Sequence, residues 1–154
     1  IVVYPNHGVG EIKSISTIEI SNIKTKCYII QMEQAKLLIR VPVDKQNEVG
    51  LRKVASKKKI EEVFNTLKQK PKIKRIMWSR RAQEYDAKIH SGDPIKIGEV
   101  IRDLFRKNNQ PEQSYSERQM FQVALERLAR EVAAIEKTDY FNATEKIEKI
   151  LYSR

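Results

Sequence analysis

The spacing of hydrophobic residues changes from a period of two to one of about 3.6 near residue 55, which divides the chain into two parts. Before that point, β-rich runs end at turn residues such as Pro5 and Pro42. Four or five short strands within about 50 residues leave no room for helices. The pattern therefore predicts a small closed or half-closed antiparallel barrel of the Tudor or SH3 kind over residues 1–54.

Turn residues set the expected limits of these strands. Ser21-Asn22 is typical of a hairpin turn, and His7-Gly8-Val9-Gly10 supplies glycines for a tight turn or a close backbone approach. His7 is accordingly interpreted as a turn residue and not as a catalytic one. The predicted strands lie at 1–4, 12–20, 27–32, 37–41 and 51–54.

Beyond residue 55 the apolar positions recur at helical spacing, and start signals separate one stripe from the next. Ser56 is a first N-cap, Asp93-Pro94 is a restart, and Ser116-Glu117-Arg118-Gln119 is a capping-box pattern. A second helix is expected around 79–90, and a last one from Thr138 or Asn142. The stripes predict a compact all-α domain of about five helices over residues 55–154, which makes the fold class α+β. Their core positions are Ile60, Val63, Phe64, Leu67, Ala82, Tyr85, Ile89, Ile97, Val100, Ile101, Leu104, Phe105, Phe121, Leu125, Leu128, Val132, Ile135, Ile147, Ile150 and Leu151.

The net positive charge of the chain is concentrated in one window. Among 30 Lys and Arg and 20 Asp and Glu residues, 12 basic and 2 acidic ones fall between Arg52 and Arg81, so the remainder is neutral. Within the window, Lys72–Arg81 holds the single tryptophan, Trp78, and five basic residues without an acid. Lys and Arg neutralise phosphates, and an aromatic or apolar wedge can stack on an unpaired base or open a base step. The segment therefore favours nucleic-acid binding.

A structural interpretation of the same segment stands beside this one. A lone tryptophan in a helical domain is typical of a core residue, and clustered lysines are typical of a solvated face. We expect Ile73, Ile76 and Met77 to supply the buried side here. Trp78 would then lie on the surface, beside a helix start whose first-turn amides point toward phosphate.

Composition and motifs exclude several other classes of protein. No apolar run approaches the ~20 residues of a membrane span, and no signal-peptide pattern is present, so a cytoplasmic protein is expected. Cys27 is the single cysteine, and Cys27, His7 and His90 are too scattered to indicate a zinc site. No P-loop, Rossmann or nucleophile-elbow pattern indicates an enzyme, so we expect no catalytic residue and no cofactor. Because the chain opens with Ile1 inside a strand-like run, we expect native residues to precede it.

Three ordered segments resemble the CarD/CdnL family of bacterial transcription regulators. They are Val2–Gly10 (VVYPNHGVG), Leu38–Pro42 (LIRVP) and Trp78–Arg81 (WSRR), and Gly98–Leu104 (GEVIRDL) is a weaker fourth. No single motif is specific, but the ordered set is, and it covers nearly the whole chain.

The resemblance implies a division of labour between the two domains. In that family a Tudor-like N-terminal module, shared with the transcription-repair coupling factor, docks on the β subunit of RNA polymerase. The helical domain reaches promoter DNA at the upstream edge of the melted bubble. Residues 1–54 would accordingly bind polymerase and residues 55–154 would contact DNA. We expect a monomer that associates with the nucleoid through polymerase.

The resemblance also assigns residues to the DNA. The family's wedge tryptophan maps onto Trp78, which would enter the minor groove at the upstream fork and stabilise the open complex. The basic residues beside it map onto Arg80 and Arg81. Where some relatives carry a lysine beyond the tryptophan, this chain has Gln83, and Lys72 and Lys74 are expected to compensate as further DNA contacts.

The polymerase-contacting arginine of the family maps onto Arg40. Ile39, Val41 and Pro42 flank it on a strand whose open edge can extend a partner's sheet by backbone pairing. A second arginine of some relatives, in the first hairpin, is replaced here near Thr17-Ile18. That contact would be absent or apolar in this protein.

A general nucleic-acid-binding protein, for instance an RNA-binding barrel with a helical appendage, is the alternative function. Against it, the β half lacks the basic stripe with interleaved aromatics that a stacking platform needs. Comigration of the protein with purified RNA polymerase in the absence of DNA would discriminate between the two functions.

Overall fold

The computed structural model describes residues 1–4, 8–20, 22–32, 37–45, 51–73, 76–107 and 113–153. It divides into two compact units, Ile1–Val54 and Ala55–Arg154. The division falls where the hydrophobic period changes. Ser21, His7 and Lys74 lie outside the described residues.

The first unit is an antiparallel sheet of five described strands. They are β1 (Val2–Tyr4), β2 (Gly8–Ile20), β3 (Ile23–Met32), β4 (Leu38–Pro42) and β5 (Arg52–Lys53), and a 3₁₀ turn at Val43–Lys45 follows β4. At 13 and 10 residues, β2 and β3 are longer than the short strands expected from the sequence. The turn between them contains Asn22 at φ 65°, a left-handed conformation that asparagine tolerates.

The order of the strands in the sheet is β4-β3-β2-β1-β5, which places β4 and β5 at its edges among the described strands. A register shift between Ile12 and Ser14 on β2 reverses the faces along that strand. Val2, Ile30, Met32 and Val41 form the core of one face. A Cβ on Gly10 would approach Ile30 Cγ2 to 2.8 Å, so this position requires the close backbone approach that glycine permits.

The second unit contains five described α-helices, whose apolar stripes form one core. They are α1 (Lys57–Leu67), α2 (Trp78–Ile89), α3 (Pro94–Leu104), α4 (Tyr115–Glu136) and α5 (Tyr140–Ser153). Ser56 and Asp93 cap α1 and α3, as predicted. Gly98 on α3 faces α1, where an added Cβ would lie 3.2 Å from Val63 Cγ1.

Two predicted helix starts were wrong by a few residues. Helix α4 is capped by Ser114, whose hydroxyl accepts the Glu117 N–H at 3.2 Å, because Ser114 and Glu117 also have capping-box spacing. Ser116 therefore lies inside the first turn. At α5, the Asp139 carboxylate accepts the Asn142 N–H at 2.7 Å, so Asp139 serves the role expected of Thr138 or Asn142.

The predicted fold class, an antiparallel β module followed by about five helices, is confirmed. None of the helices in the described ranges combines the length and the apolarity that a membrane crossing requires. Every core position predicted on α3 is buried, so the helical spacing of apolar residues predicted the buried face of this helix correctly.

Candidate functional site

The edge strand β4 presents Arg40 to solvent. Arg40 lies opposite Ile29 of β3, and the other side of β4 pairs with no described strand. Since side chains alternate along a strand, Leu38, Arg40 and Pro42 share one face. Arg40 is exposed and Leu38 is 59% exposed, so a charged and an apolar side chain stand together at this edge.

Two of the flanking residues predicted to contact a partner, Ile39 and Val41, point to the opposite face of β4, whereas Pro42 shares the face of Arg40. Val41 is buried in the sheet core, and Ile39 is half-buried against the same cluster. Their side chains are therefore occupied within the unit, and what they offer at the edge is backbone. Leu38 takes their place as an exposed apolar neighbour of Arg40, a consequence of strand alternation that the sequence motif alone did not indicate.

The first hairpin presents a weakly polar surface at Thr17 and Ile18. Thr17 is exposed, and Ile18 is half-buried opposite Thr25 of β3. The strand pair β2–β3 therefore offers a hydroxyl and part of an aliphatic side chain at this position.

Trp78 is the first residue of α2 and is half-buried against the helical core. Met77 precedes it as the N-cap and supplies no side-chain hydrogen bond to the first turn. The expectation that Ile73 and Met77 form the buried side was wrong, because they are 46% and 78% exposed. The helix begins one residue earlier than expected, so Trp78 is its first residue and packs against the core, whereas Met77 is the N-cap.

Arg81 and Tyr85 hold the indole from one side. The Arg81 guanidinium carbon lies 5.4 Å from the Trp78 ring centroid and 5.6 Å from that of Tyr85. Arg81 Nη2 also donates to the Tyr85 hydroxyl at 3.3 Å, and the two rings are 6.3 Å apart. Because residues three and four apart are neighbours on a helix, these three side chains form one row along α2.

Arg80, Met77 and Gln83 form the adjacent row, which faces solvent. All three are exposed, and with Ile76 and Ser79 they line an open depression of about 530 Å³. Of the two arginines assigned to DNA, Arg80 is therefore the exposed one. Arg81 is half-buried and contacts the tryptophan.

A buried ion pair on α3 anchors the chain ahead of this region. The Asp103 carboxylate accepts the Lys72 backbone N–H at 3.0 Å and the Arg102 Nε–H at 2.9 Å. Arg102 also donates to the Gln69 side-chain oxygen at 3.0 Å. Lys72 is thereby held by its backbone while its side chain is exposed. The weaker GEVIRDL motif thus supplies two side chains, Arg102 and Asp103, that tie residues 69–72 to α3.

Candidate ligands for a metal ion do not come together in the part of the chain that the structure describes. No group of three or more His, Cys, Asp or Glu side chains within those residues could hold one. Cys27 is a free, buried thiol.

Comparisons with known proteins cover both units. Residues 1–55 match the family model of the CarD-like/TRCF RID domain, and residues 62–148 match that of the CarD C-terminal domain. A protein of Bacillus subtilis (strain 168) named "Putative transcription factor YdeB" is 27% identical over 134 residues, which are 87% of this chain and 88% of that protein. The resemblance indicated by the sequence motifs is confirmed, and the match of the first unit implies an interaction with RNA polymerase.

Proposed function

From the premise that the chain belongs to the CarD family of transcription regulators, we propose that it stabilises the open promoter complex by binding RNA polymerase and promoter DNA together. Residues 1–54 bind the polymerase β subunit through the edge of the sheet. Residues 55–154 contact DNA at the upstream fork of the bubble. The observation that carries the DNA half is the placement of half-buried Trp78 beside exposed Arg80 at the start of α2.

Edge-strand pairing supports the polymerase half of the proposal. The free side of β4 offers backbone groups to a partner strand, while Arg40 and Leu38 project from the same face. Backbone pairing supplies affinity in such complexes, and alternate side chains supply specificity. A guanidinium at this edge suits an acidic patch on the partner.

Charge and geometry support the DNA half. The net positive charge of the chain falls in the window that includes the start of α2. A few phosphate contacts by Arg80 and the Lys72 side chain give weak, sequence-independent affinity, on the order of 10⁻⁴ to 10⁻⁶ M at physiological salt. Polymerase must therefore place the protein on a promoter, and tight sequence-specific binding to free duplex would contradict this mechanism.

The indole acts on DNA that polymerase has already distorted. Unstacking a base step costs a few kcal/mol, whereas stacking an aromatic ring on a base typically returns about 1–3 kcal/mol. Trp78 thus favours an opened step over intact duplex, and it enters from the minor groove. Re-forming the duplex requires expulsion of the ring, so the open complex closes more slowly.

The test measures promoter-complex lifetime and thermal melting for the same variants. Trp78→Ala and Arg80→Ala should each shorten the lifetime, and Arg80→Ala should leave melting unchanged because its side chain is exposed. Lys96→Ala, an exposed basic position on α3 outside the charged window, is the matched control. If neither Trp78→Ala nor Arg80→Ala shortens the lifetime, the DNA half of the proposal is wrong.

A further inference from the structure

Met77 is the large apolar side chain most exposed to solvent in the described chain. It is 78% exposed, although it directly precedes half-buried Trp78. An exposed methionine carries no charge that would favour its solvation, and hydrating its thioether side chain costs free energy that burial would recover. Its position at the start of α2, beside Trp78 and Arg80, makes it available for a contact outside the chain.

The two rows of side chains along α2 have different roles at this site. Trp78, Arg81 and Tyr85 contact one another and the helical core, which limits how far the indole can reach. Met77 and Arg80 lie three residues apart on the outer row, so an apolar tip and a guanidinium share one surface. The open depression beside them is lined by both side chains.

We propose that Met77 is a second apolar wedge, which contacts the face of an unstacked base at the fork while Arg80 contacts a neighbouring phosphate. This inference rests on the proposed function and adds to it a residue that neither the family motif nor the charge pattern singles out. Arg81 and Tyr85 act as positioning residues that hold the indole beside this tip.

The chemistry of methionine suits contact with an unstacked base. Methionine is among the apolar side chains that proteins insert between base steps. Its polarisable sulfur makes favourable contacts with aromatic rings, and its unbranched chain adapts to an irregular gap. The surrounding charge is positive, which matches the phosphates on either side of an opened step and does not match an apolar protein surface.

The first experiment compares lifetimes of promoter complexes formed with the full chain and RNA polymerase. Met77→Ser should shorten the lifetime about tenfold or more, since burying a methionine side chain contributes at least roughly that factor. Met77→Leu should retain most of the wild-type lifetime, because it preserves an apolar side chain of similar size. Phe141→Ser removes a side chain that is 74% exposed on α5 and should have no effect.

The result separates this inference from the proposed function. If Trp78→Ala and Arg80→Ala shorten the lifetime and Met77→Ser does not, the second wedge is wrong and the proposed function stands. If none of the three variants shortens it, the proposed function itself fails. Because Met77 is exposed, its variants should melt at the wild-type temperature.

A second measurement reports the contact directly. Hydrogen peroxide oxidises exposed methionine to the sulfoxide, and mass spectrometry gives the rate at each position. Met77 should react more slowly in the promoter complex than in the complex with polymerase alone, while buried Met32 serves as the unreactive reference. Equal rates in the two complexes would overturn the inference, and so would full protection by polymerase without DNA, since the occupant would then be protein.

Discussion

The edge strand β4 and the start of α2 present similar chemistry by different means. Each places an exposed arginine, Arg40 or Arg80, next to an exposed apolar side chain, Leu38 or Met77. On β4, alternation along five consecutive residues decides which side chains face out. At α2, contacts with residues far along the chain decide the same question. A local rule therefore sets one surface and long-range packing sets the other.

Asp103 holds the segment that precedes α2. Its carboxylate, buried on α3, accepts hydrogen bonds from the Lys72 backbone and from Arg102. No comparable buried charged side chain is found in the described residues of the sheet unit. The β4 surface should therefore tolerate substitutions elsewhere in the chain, whereas the surface at the start of α2 should not.

Removal of the Asp103 carboxylate is expected to have the largest effect. Asp103→Ala leaves Arg102 buried without this partner, and breaking a buried ion pair typically costs about 3–5 kcal/mol of the free energy of unfolding. Urea unfolding measures the loss. Glu145→Ala, which removes an exposed partner of Lys149 on α5, should change stability by less than about 1 kcal/mol. Equal stability of the two variants would contradict the anchoring role of Asp103.

Charge reversal on β4 should have the next largest effect. It should change the affinity for polymerase and not the stability of the protein. Arg40→Glu should weaken polymerase binding by about 2 kcal/mol or more if the arginine is central to the contact. Its melting temperature should stay unchanged because the side chain is exposed. Lys53→Glu reverses an exposed charge on the opposite edge strand, β5, and serves as the control in a pull-down. If Arg40→Glu does not reduce the amount of polymerase pulled down, the assignment of the β4 edge as the polymerase contact is wrong.

The smallest expected effect distinguishes the two arginines of α2. Arg81→Gln removes the guanidinium from the Trp78 and Tyr85 rings and should cost about 1 kcal/mol of stability, a typical cation–π contribution. Arg80→Gln should change stability by less than about 0.5 kcal/mol, as surface substitutions usually do. Chemical unfolding of both variants measures the difference. If Arg80→Gln destabilises the protein as much as Arg81→Gln, the division into an inner and an outer row is wrong.

Prediction from the sequence succeeded where a local pattern carries the information. The stripe on α3 predicted its buried face, and Ser56 and Asp93 were identified as caps because the cap lies within a few residues of the amides it serves. It was less accurate where two nearby residues satisfy the same local rule. Ser114 and Ser116 both precede a capping partner by three residues, and Ser114 is the one that caps α4.

At the candidate site, the charge pattern and the tryptophan motif singled out a segment of the chain, but they did not indicate how its side chains are placed. Trp78, Arg80 and Arg81 were assigned together as DNA contacts, while the structure separates Arg80 on the outer row from Arg81 beside the ring. Met77 was expected inside and is outside. The positions farther along α2 that were predicted to be in the core, Tyr85 and Ile89, are buried, so the difference is confined to the start of the helix.

The sequence by itself determined the two-part division, the element types, the family and the concentration of positive charge, because periodicity, turn residues and composition are local properties of the chain. Tertiary structure alone decided which residues at the start of α2 face the core. Asp103 lies 31 positions beyond Lys72, and their hydrogen bond forms only when α3 folds against the segment that precedes α2. The physical reason is that a buried carboxylate must find hydrogen-bond donors, and no local pattern specifies which distant donors the fold brings to it.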